Sequence, residues 1–274
     1  MIRCCLPDVE GFTDHPYLRT TIHQPRTISV IIPALDEEAE LPATLASVSD
    51  QSGPFEVIVA DGGSMDATRE IAARHGATMV TSPRGRAPQM NAGATHASGD
   101  VLLFLHADTQ LPPGALDHVR TALADPDAAA GCFRLRFDRD GFWLWLWSRP
   151  IWMRWHRWAF GDRALFVRRT AFDAVGGFPD QPVFEDLDMV QALRQQGRFV
   201  FLDAAVTTSA RRFERGGTLR QQLRNWALWT AWLLGVNPER AARFYPSHPD
   251  QRERREQAEA RPRRTGDSEE VTRG

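Results

Sequence analysis

Residues 28–38 read ISVIIPALDEE, an apolar run that ends in a cluster of acids. The same pattern returns twice. Phe55–Ala60 is followed by DGGSMDAT at residues 61–68, and Val101–Leu105 is followed by HAD at residues 106–108. Short apolar runs bounded by polar turn residues predict buried strands. The sequence therefore predicts three core strands, each ending in side chains that carry charge or hydrogen-bonding groups.

Helical patterns separate these runs, and a fourth short strand is expected at Thr78–Thr81. The predicted helices cover residues 38–50, 66–75 and 87–97. Alternation of strands and helices is typical of the α/β class, with a Rossmann-like, mainly parallel sheet and helices on both faces. In such sheets ligands bind beyond the carboxyl ends of the strands. Helix capping, for example by Ser64 or Asp66, explains any single one of these polar sites equally well, but three acidic strand ends at one edge favour a ligand site.

Charge and composition exclude several classes of function. The chain has 33 basic and 35 acidic residues, for a formal net charge of -2, so we expect no nucleic-acid partner. All the basic residues are Arg, which excludes Schiff-base lysines and P-loop lysines. The cysteines Cys4, Cys5 and Cys132 form neither a disulfide framework nor a four-cysteine zinc site.

The ends of the chain differ from its middle. Residues 1–25 lack periodicity and are expected to be an irregular leader, without a secretory signal. Residues 26–210 form the predicted α/β domain, and residues 211–246 a C-terminal amphipathic helical segment. Residues 247–274 are nearly free of large apolar side chains and are expected to be disordered. The apolar stretches are too short for a spanning helix, so we expect a cytoplasmic protein.

The tryptophans are clustered in two segments of the chain, which indicates a common role within each segment. Trp143, Trp145, Trp147, Trp152, Trp155 and Trp158 form one group, and Trp226, Trp229 and Trp232 form the other. Aromatic rings beside arginines are typical of a helix that lies in a membrane interface. Packing of the two helices on each other and on the sheet is an equally good interpretation. The first interpretation predicts peripheral contact of these helices with the inner face of the membrane. The alternative predicts that the tryptophans belong to the protein core.

Taken in order, VIIPALDEE, DGGSMDAT, RGRAPQMNAGA, LLFLHAD and FEDLDM resemble a family 2 glycosyltransferase with the GT-A fold. The resemblance runs from about residue 27 to about residue 209. It is closest to compact, non-spanning enzymes of the family that act on lipid or carotenoid acceptors. The resemblance implies that residues 26–210 are a GT-A glycosyltransferase domain with C-terminal helices after it.

The resemblance implies a binding site for a nucleoside diphosphate sugar, with UDP slightly favoured as the nucleotide. Asp61 matches the acid that contacts the nucleobase or ribose, and Asp36 stands where the family usually has Asn. Basic residues would contact the diphosphate. The implied donor-binding residues are Pro33, Ala34, Asp36, Glu37, Asp61, Arg84, Arg86, Asn91, Ala107, Arg211 and Arg212.

His106, Ala107 and Asp108 match the Asp-x-Asp motif of the family, which implies a bound Mg²⁺ or Mn²⁺. Asp108 is the expected metal ligand. His106 departs from the motif, and imidazole suits Mn²⁺ better than Mg²⁺. A role beside the metal, or simple packing at the strand end, remains open for His106.

The pair Glu185 and Asp186 matches the catalytic carboxylates of the family and precedes a helix predicted at Met189–Gln196. Asp186 is the implied base, which would take a proton from the acceptor as the acceptor attacks the anomeric carbon. A single base without a covalent intermediate implies inversion. For Asp188 we expect a helix cap.

The resulting hypothesis is an inverting, metal-dependent hexosyltransferase that uses a nucleoside diphosphate sugar and a lipid-linked or apolar acceptor. Two alternatives stay open. One is a nucleotidyltransferase, although its usual Gly-rich first loop with Arg and Lys is missing. The other is a non-catalytic, membrane-associated nucleotide-sugar binder, which His106 in place of the first acid would favour.

Overall fold

A computed structural model describes residues 27–139, 163–211 and 218–242. The leader at 1–25, the tail at 247–274, the first tryptophan group and Arg212 therefore lie outside the described residues. An eight-stranded sheet forms the centre, with the strand order β3-β2-β1-β4-β7-β6-β8-β5. The strands are β1 Ile28–Ala34, β2 Phe55–Asp61, β3 Thr78–Thr81, β4 Val101–Phe104, β5 Thr109–Gln110, β6 Ala128–Phe137, β7 Leu165–Arg168 and β8 Arg198–Thr208.

Helices connect the strands and follow them at the C-terminal end. They are α1 Leu41–Ser49, α2 Thr68–Arg74, α3 Arg86–His96, α4 Ala115–Ala122, α5 Arg169–Val175, α6 Glu185–Leu193, α7 Thr218–Leu233 and α8 Pro238–Ala242. The predicted α/β class is confirmed, as are the first four strands and the three helices between them. The helix predicted at Met189–Gln196 instead begins at Glu185, so the acidic pair lies in its first turn.

The sheet is mixed rather than parallel throughout. The pairs β1/β2, β1/β4, β2/β3 and β6/β8 are parallel. In contrast, β7 runs antiparallel to both of its neighbours, and β5 runs antiparallel to β8. Strand order reverses between β1 and β4, since β2 and β3 lie on one side of β1 and β4 lies on the other. This reversal is the point at which open α/β sheets bind ligands.

Both faces of the sheet are covered, which explains the continuous apolar runs. Every residue of β1 is buried. Val30 and Ile32 belong to a cluster that includes side chains of α1, α2 and α4, whereas Ile31 belongs to a cluster with α3, α5 and α6. Alternate side chains of a strand point to opposite faces, so β1 contributes to two apolar layers at once.

Cys132 lies inside the second of these layers and is fully buried. Burial raises the pKa of its thiol to about 12, although Arg163 and Arg194 act in the opposite direction. A thiol in this state is protonated at neutral pH and is a poor nucleophile. Cys132 is therefore part of the core rather than of a reactive site.

Candidate functional site

The loop after β1 is hydrogen-bonded to the loop after β2. The backbone N–H of Asp36 donates to Ser64 Oγ at 3.0 Å, and the N–H of Met65 donates to Asp36 Oδ1 at 2.8 Å. Asp36 has a φ of 55°, in the left-handed region. Asn and Asp tolerate that region better than most residues. The backbone therefore accounts for the Asp that stands at a position where the family usually has Asn.

A second reciprocal pair of hydrogen bonds joins the same two loops. The N–H of Glu38 donates to Asp66 Oδ2 at 3.1 Å, and the N–H of Ala67 donates to Glu38 Oε2 at 3.0 Å. Asp66 Oδ1 also accepts from the N–H of Thr68, the first residue of α2. Asp66 thus satisfies a backbone group at the start of α2, although the N-cap residue of α2 is Ala67.

Asp61 closes β2 and is 1% exposed. Its carboxylate accepts from the backbone N–H groups of Gly63 and Ser64 at 3.1–3.3 Å, and Arg69 Nε lies 3.8 Å away. The carboxylate therefore shapes the turn that carries it. A nucleobase contact of the predicted kind would have to use a lone pair of Asp61 that this turn leaves available.

Gln89 of α3 ties the ends of β1 and β2 together. Its Nε2 donates to Ala34 O at 2.6 Å and to Ala60 O at 2.9 Å, and the side chain is 4% exposed. Ala34 O also accepts from the backbone N–H of Gly62 at 3.0 Å, so the Gln89 amide adds a side-chain hydrogen bond at the ends of two strands that are already paired. Gln89 was not among the predicted site residues, and its position in the motif RGRAPQMNAGA was the available signal.

Arg86, the first residue of α3, brings together residues from three distant parts of the chain. Its Nη2 lies 2.8 Å from His106 Nε2 and 2.8 Å from Asp186 Oδ2. Its Nε lies 3.5 Å from Glu185 Oε1. A guanidinium has donors only, so His106 Nε2 is the acceptor, and its Nδ1 carries the proton in a neutral ring. Glu185 and Asp186 are both largely buried, with side chains 7% and 13% exposed.

Arg211 joins a second set of predicted residues. Its Nη2 lies 2.8 Å and 2.6 Å from the two carboxylate oxygens of Glu37 and 3.2 Å from Asp108 Oδ2. Glu40 Oε1 lies 3.9 Å from Nη1. Burial opposes the charge of Arg211, but the attraction of Glu37, Asp108 and Glu40 outweighs burial and raises its pKa. Arg211 is therefore a fixed cation at neutral pH.

Strand pairing explains why Arg211 meets Asp108. Thr109 of β5 pairs with Thr208 of β8, and the N–H of Ser209 donates to Asp108 O at 3.1 Å. Residues on either side of this short antiparallel pair must lie close together. The contact joins positions 103 residues apart and is not visible in the sequence.

The remaining predicted donor residues are distributed around these two clusters. Pro33 and Ala34 are buried at the end of β1, and Ala107 accepts a hydrogen bond from Thr44 Oγ1 at 2.7 Å through its carbonyl. Arg84 is exposed on the loop before α3. Asn91 differs, because its amide donates to Phe178 O at 2.8 Å and accepts from Phe178 N at 2.9 Å. It holds the turn that follows α5.

The first turn of α6 contains three acids, and none of them caps the helix. The N-cap is Phe184, without a side-chain hydrogen bond. The expectation that Asp188 is a cap is wrong, since its Oδ1 accepts from Trp232 Nε1 and its Oδ2 from Gln181 Nε2, each at 2.7 Å. Its partners lie on α7 and on the loop before α6. Sequence reasoning missed this contact with a tryptophan that it had assigned only to a membrane or packing role.

The donor atoms at the strand end limit how a divalent cation can bind. Among the residues that the structure describes, no three His, Cys, Asp or Glu side chains lie together as a metal site. His106 Nε2 faces Arg86, and Asp108 Oδ2 faces Arg211. Mg²⁺ is often held by one or two carboxylates together with substrate phosphates and water. Asp108 fits that pattern as a single protein ligand, and His106 in its present orientation does not.

The fold and the site define an α/β protein whose charged side chains gather near the reversal of strand order in the sheet. The model of the family described as Glycosyl transferase family 2 matches residues 29–179, and the chain belongs to that family. A relative from Aeromonas hydrophila subsp. hydrophila, an undecaprenyl-phosphate 4-deoxy-4-formamido-L-arabinose transferase, is 36% identical over 126 residues. This match covers 41% of the chain and 39% of the relative. The first curated relatives are matched over only 40% of their length.

Solved structures share the GT-A fold at low sequence identity. The mannosyltransferase PcManGT from Pyrobaculum calidifontis, in complex with GDP-Man and Mn²⁺, superposes with a TM-score of 0.56 at 21% identity. That alignment covers 76% of this chain and 61% of PcManGT. S. aureus TarS in complex with UDP superposes with a TM-score of 0.55 at 19% identity, covering 67% of this chain and 60% of TarS. These likenesses confirm the predicted fold.

Proposed function

We propose that this chain is an inverting, metal-dependent glycosyltransferase that moves a hexosyl group from a nucleoside diphosphate sugar to a lipid-linked or apolar acceptor. The observation that supports this most is the position of Asp186. It lies on the first turn of α6, within 2.8 Å of an arginine that also contacts the end of β4. A carboxylate at the strand reversal, beside cationic groups for a diphosphate, is what such a transfer needs.

The reaction requires a base for the acceptor and positive charge for the leaving group. Asp186 would accept the proton of the acceptor hydroxyl while the oxygen attacks the anomeric carbon from the side opposite the diphosphate. Attack from that side in one displacement inverts the configuration at the anomeric carbon. Glu185 lies next to Asp186 and is positioned by Arg86 Nε at 3.5 Å.

Arg86 and Arg211 both contact acids of this site directly. Each guanidinium contacts carboxylates now, and each would gain a bidentate partner in a diphosphate. A divalent cation on Asp108, when bound, supplies further neutralisation of the departing nucleoside diphosphate. Glu37 would keep Arg211 oriented after Asp108 turns to the cation, because Glu37 contacts Arg211 through both of its oxygens. The rest of the donor site comprises the two joined loops around Asp36 and Asp61.

The nucleotide and the acceptor are inferred from the relatives. TarS binds UDP and PcManGT binds GDP-Man, and we favour UDP for this chain. The relative from Aeromonas hydrophila is named for undecaprenyl phosphate, which supports a lipid acceptor, and a role for Asp186 as base requires that this lipid present a hydroxyl group. No helix among the described residues is long and apolar enough to cross a bilayer. We propose peripheral contact with the inner membrane face, through α7.

The exposed residues of α7 support this membrane contact. The outward-facing side chains Leu223, Trp226 and Leu233 are 53%, 39% and 40% exposed, and Leu234, just after the helix, is 76% exposed. Ala227 and Thr230 lie on the same face, so the described part of it is uncharged. The opposite face packs on α6 through Leu228 and Trp232. One helix thus has an apolar inner face and an apolar outer face, which favours burial of the outer one in lipid.

Binding of the donor is the first test. Purified protein would be titrated with UDP, GDP, dTDP and CDP, each with and without Mn²⁺ or Mg²⁺, while the thermal midpoint is followed. A ligand that binds only the folded state raises the midpoint, and we expect one diphosphate to do so in the presence of metal. A folded sample that none of these pairs stabilises would contradict the proposal.

Transfer is the second test, with Asp186→Asn as the decisive variant. With a long-chain alcohol as acceptor, we expect its turnover to fall by a factor of about 10² to 10⁴, the usual contribution of a general base. Its affinity for the nucleoside diphosphate should stay within about twofold. Asp203→Asn is the matched control, because Asp203 is 91% exposed on β8. Normal turnover by Asp186→Asn would show that Asp186 is not the base.

A further inference from the structure

Helix α7 contacts the two residues that flank the acidic pair at the start of α6. Phe184 precedes Glu185 and Asp186, and Asp188 follows them by two positions. We infer that α7 is a positioning element for the base Asp186 and that Trp232 is its main positioning residue. This inference rests on the proposed function, since it concerns the same carboxylate. It assigns to α7 a role in turnover that is separate from any role in membrane contact.

The contact behind Asp186 is a hydrogen bond from an indole to a carboxylate. Trp232 Nε1 donates to Asp188 Oδ1 at 2.7 Å, and Gln181 Nε2 donates to Asp188 Oδ2 at 2.7 Å. Hydrogen bonds to an ionised acceptor are about twice as strong as neutral ones. Such hydrogen bonds have defined geometry. One donor, Gln181, precedes α6 in the chain, and the other, Trp232, follows it. The first turn of α6 is thereby fixed in rotation about its axis.

The contact that α7 makes with Phe184, before Asp186 in the chain, is apolar. Phe184 has a φ of 73°, which is a left-handed conformation, and it is 9% exposed. A bulky residue rarely adopts this strained conformation, and it persists only where its surroundings hold it. Phe184 belongs to a cluster with Leu187 and the α7 residues Leu228, Trp229, Ala231 and Trp232. Helix α7 therefore stabilises the strained backbone from which Glu185 and Asp186 extend.

Trp232 contributes to both contacts, because its ring packs in the cluster and its N–H reaches Asp188. On the far side of α6, Asp186 meets Arg86 at 2.8 Å. A small rotation of a nine-residue helix would move Asp186 relative to Arg86 and to the acceptor. Misplacement of a catalytic group by 1 Å can cost about a hundredfold in rate. Loss of the Trp232 hydrogen bond should therefore reduce turnover more than it reduces donor binding.

The test compares Trp232→Phe with Trp226→Phe. Both substitutions remove one indole N–H from the same helix and leave an aromatic ring. Trp226 lies on the outward face and is 39% exposed, so it controls for the loss of a tryptophan. The readouts are backbone hydrogen exchange across residues 184–193, the dissociation constant for UDP or GDP with Mn²⁺, and kcat for release of nucleoside diphosphate from UDP-glucose and GDP-mannose.

For Trp232→Phe we expect faster exchange across residues 184–193 and a fall in kcat of roughly tenfold, with an unchanged dissociation constant. Trp226→Phe should match the wild type in exchange and in kcat. Asp188→Ala also removes the Gln181 hydrogen bond, so we expect it to lower kcat at least as much as Trp232→Phe does. Adding Trp232→Phe to Asp188→Ala should lower kcat little further, since the indole has then already lost its acceptor. Equal exchange and equal kcat in Trp232→Phe and Trp226→Phe would overturn the inference.

The same measurements distinguish a failure of the proposed function from a failure of the positioning role. A wild-type protein that neither binds the diphosphates nor releases them from the sugars would contradict the proposed function, and the positioning role would fall with it, whatever the exchange data show. A wild-type protein that turns over, with a Trp232→Phe variant that loses kcat and donor affinity equally, would contradict the positioning role alone. A uniform loss of this kind would indicate general destabilisation.

Discussion

Arg86 Nη2 lies 2.8 Å from Asp186 Oδ2, although the two residues are 100 positions apart in the chain. The contact joins the start of α3, where a diphosphate is proposed to bind, to the start of α6, which carries the proposed base. The same nitrogen meets His106 at the end of β4. In the proposed function, this guanidinium connects the donor side of the site with the acceptor side.

The first prediction concerns the stability that this contact provides. Arg86→Gln would remove the guanidinium that contacts Glu185 and Asp186 while these two acids stay largely buried. We expect the free energy of unfolding to fall by about 1–2 kcal/mol, less than for a fully buried pair because the Arg86 side chain is 37% exposed. Urea denaturation measures this change. The control is Arg134→Gln, whose partner Asp203 is 91% exposed and whose loss should cost under about 0.5 kcal/mol.

The second prediction concerns Asp108 and its cation. Asp108→Ala should weaken binding of the preferred nucleoside diphosphate by at least about tenfold when Mn²⁺ is present, because it removes the proposed carboxylate ligand of the cation. Without metal, the variant and the wild type should bind alike. Isothermal titration calorimetry with and without Mn²⁺ separates the two cases. Equal metal enhancement in both proteins would remove Asp108 from the cation site.

The third prediction is a pH dependence at the opposite edge of the sheet. Glu56 accepts hydrogen bonds from Ser29 Oγ, from the backbone and hydroxyl of Ser98, and from the backbone of Gly99 at 2.6–3.2 Å. Burial by itself would raise the pKa of Glu56, but these hydrogen bonds outweigh it and lower the pKa. A carboxyl with a lowered folded-state pKa stabilises the fold above its unfolded-state value, about 4.3, and loses that effect as the pH falls through the folded-state value.

Glu56→Gln should therefore destabilise the protein by roughly 1 kcal/mol at pH 7, and the gap to the wild type should close under acid conditions. Urea denaturation at pH 7, 5 and 3.5 would follow this gap. Glu70→Gln serves as the control, because Glu70 is exposed on α2. A gap that stays constant over this pH range would contradict the assignment.

The fourth prediction tests the outward face of α7 against lipid. Leu234→Asp should reduce binding to vesicles of phosphatidylglycerol and phosphatidylcholine by about tenfold, since it places a charge on an apolar residue that is 76% exposed. Met65→Asp is the matched control, because Met65 is 70% exposed on the loop after β2. Cosedimentation gives the partition coefficients. If the wild-type protein does not bind vesicles, or if Leu234→Asp and Met65→Asp both bind as the wild type does, α7 is not the membrane contact.

The sequence predicted those parts of the fold that local patterns encode. β1 and β4 are apolar runs of fully buried residues, and acids mark the loops that follow β1 and β2. β6 was missed because its first half, AAAGC, has small side chains that favour neither strand nor helix strongly. The antiparallel pairing of β7 with β4 also depends on contacts between distant segments.

In the candidate site, too, local motifs predicted individual residues but not the contacts between distant segments. The motifs located Arg86, His106, Asp108 and Asp186 individually. Their pairing by guanidinium groups could not be read from spacing, because it arises where β4, α3, α6 and the end of β8 converge. Trp232 is the clearest omission, since its apolar neighbours in α7 concealed a polar contact with Asp188.

The reciprocal hydrogen bonds between the loops after β1 and β2 have a consequence for altering nucleotide preference. Asp36 and Glu38 each exchange hydrogen bonds with the other loop, so neither loop can be replaced from a relative without leaving partners unmatched in its neighbour. Chimeras that exchange residues 33–40 alone should express poorly. Exchange of residues 33–40 together with residues 61–68 preserves the hydrogen bonds between the loops. Chimeras that fold should therefore carry both segments from the same relative.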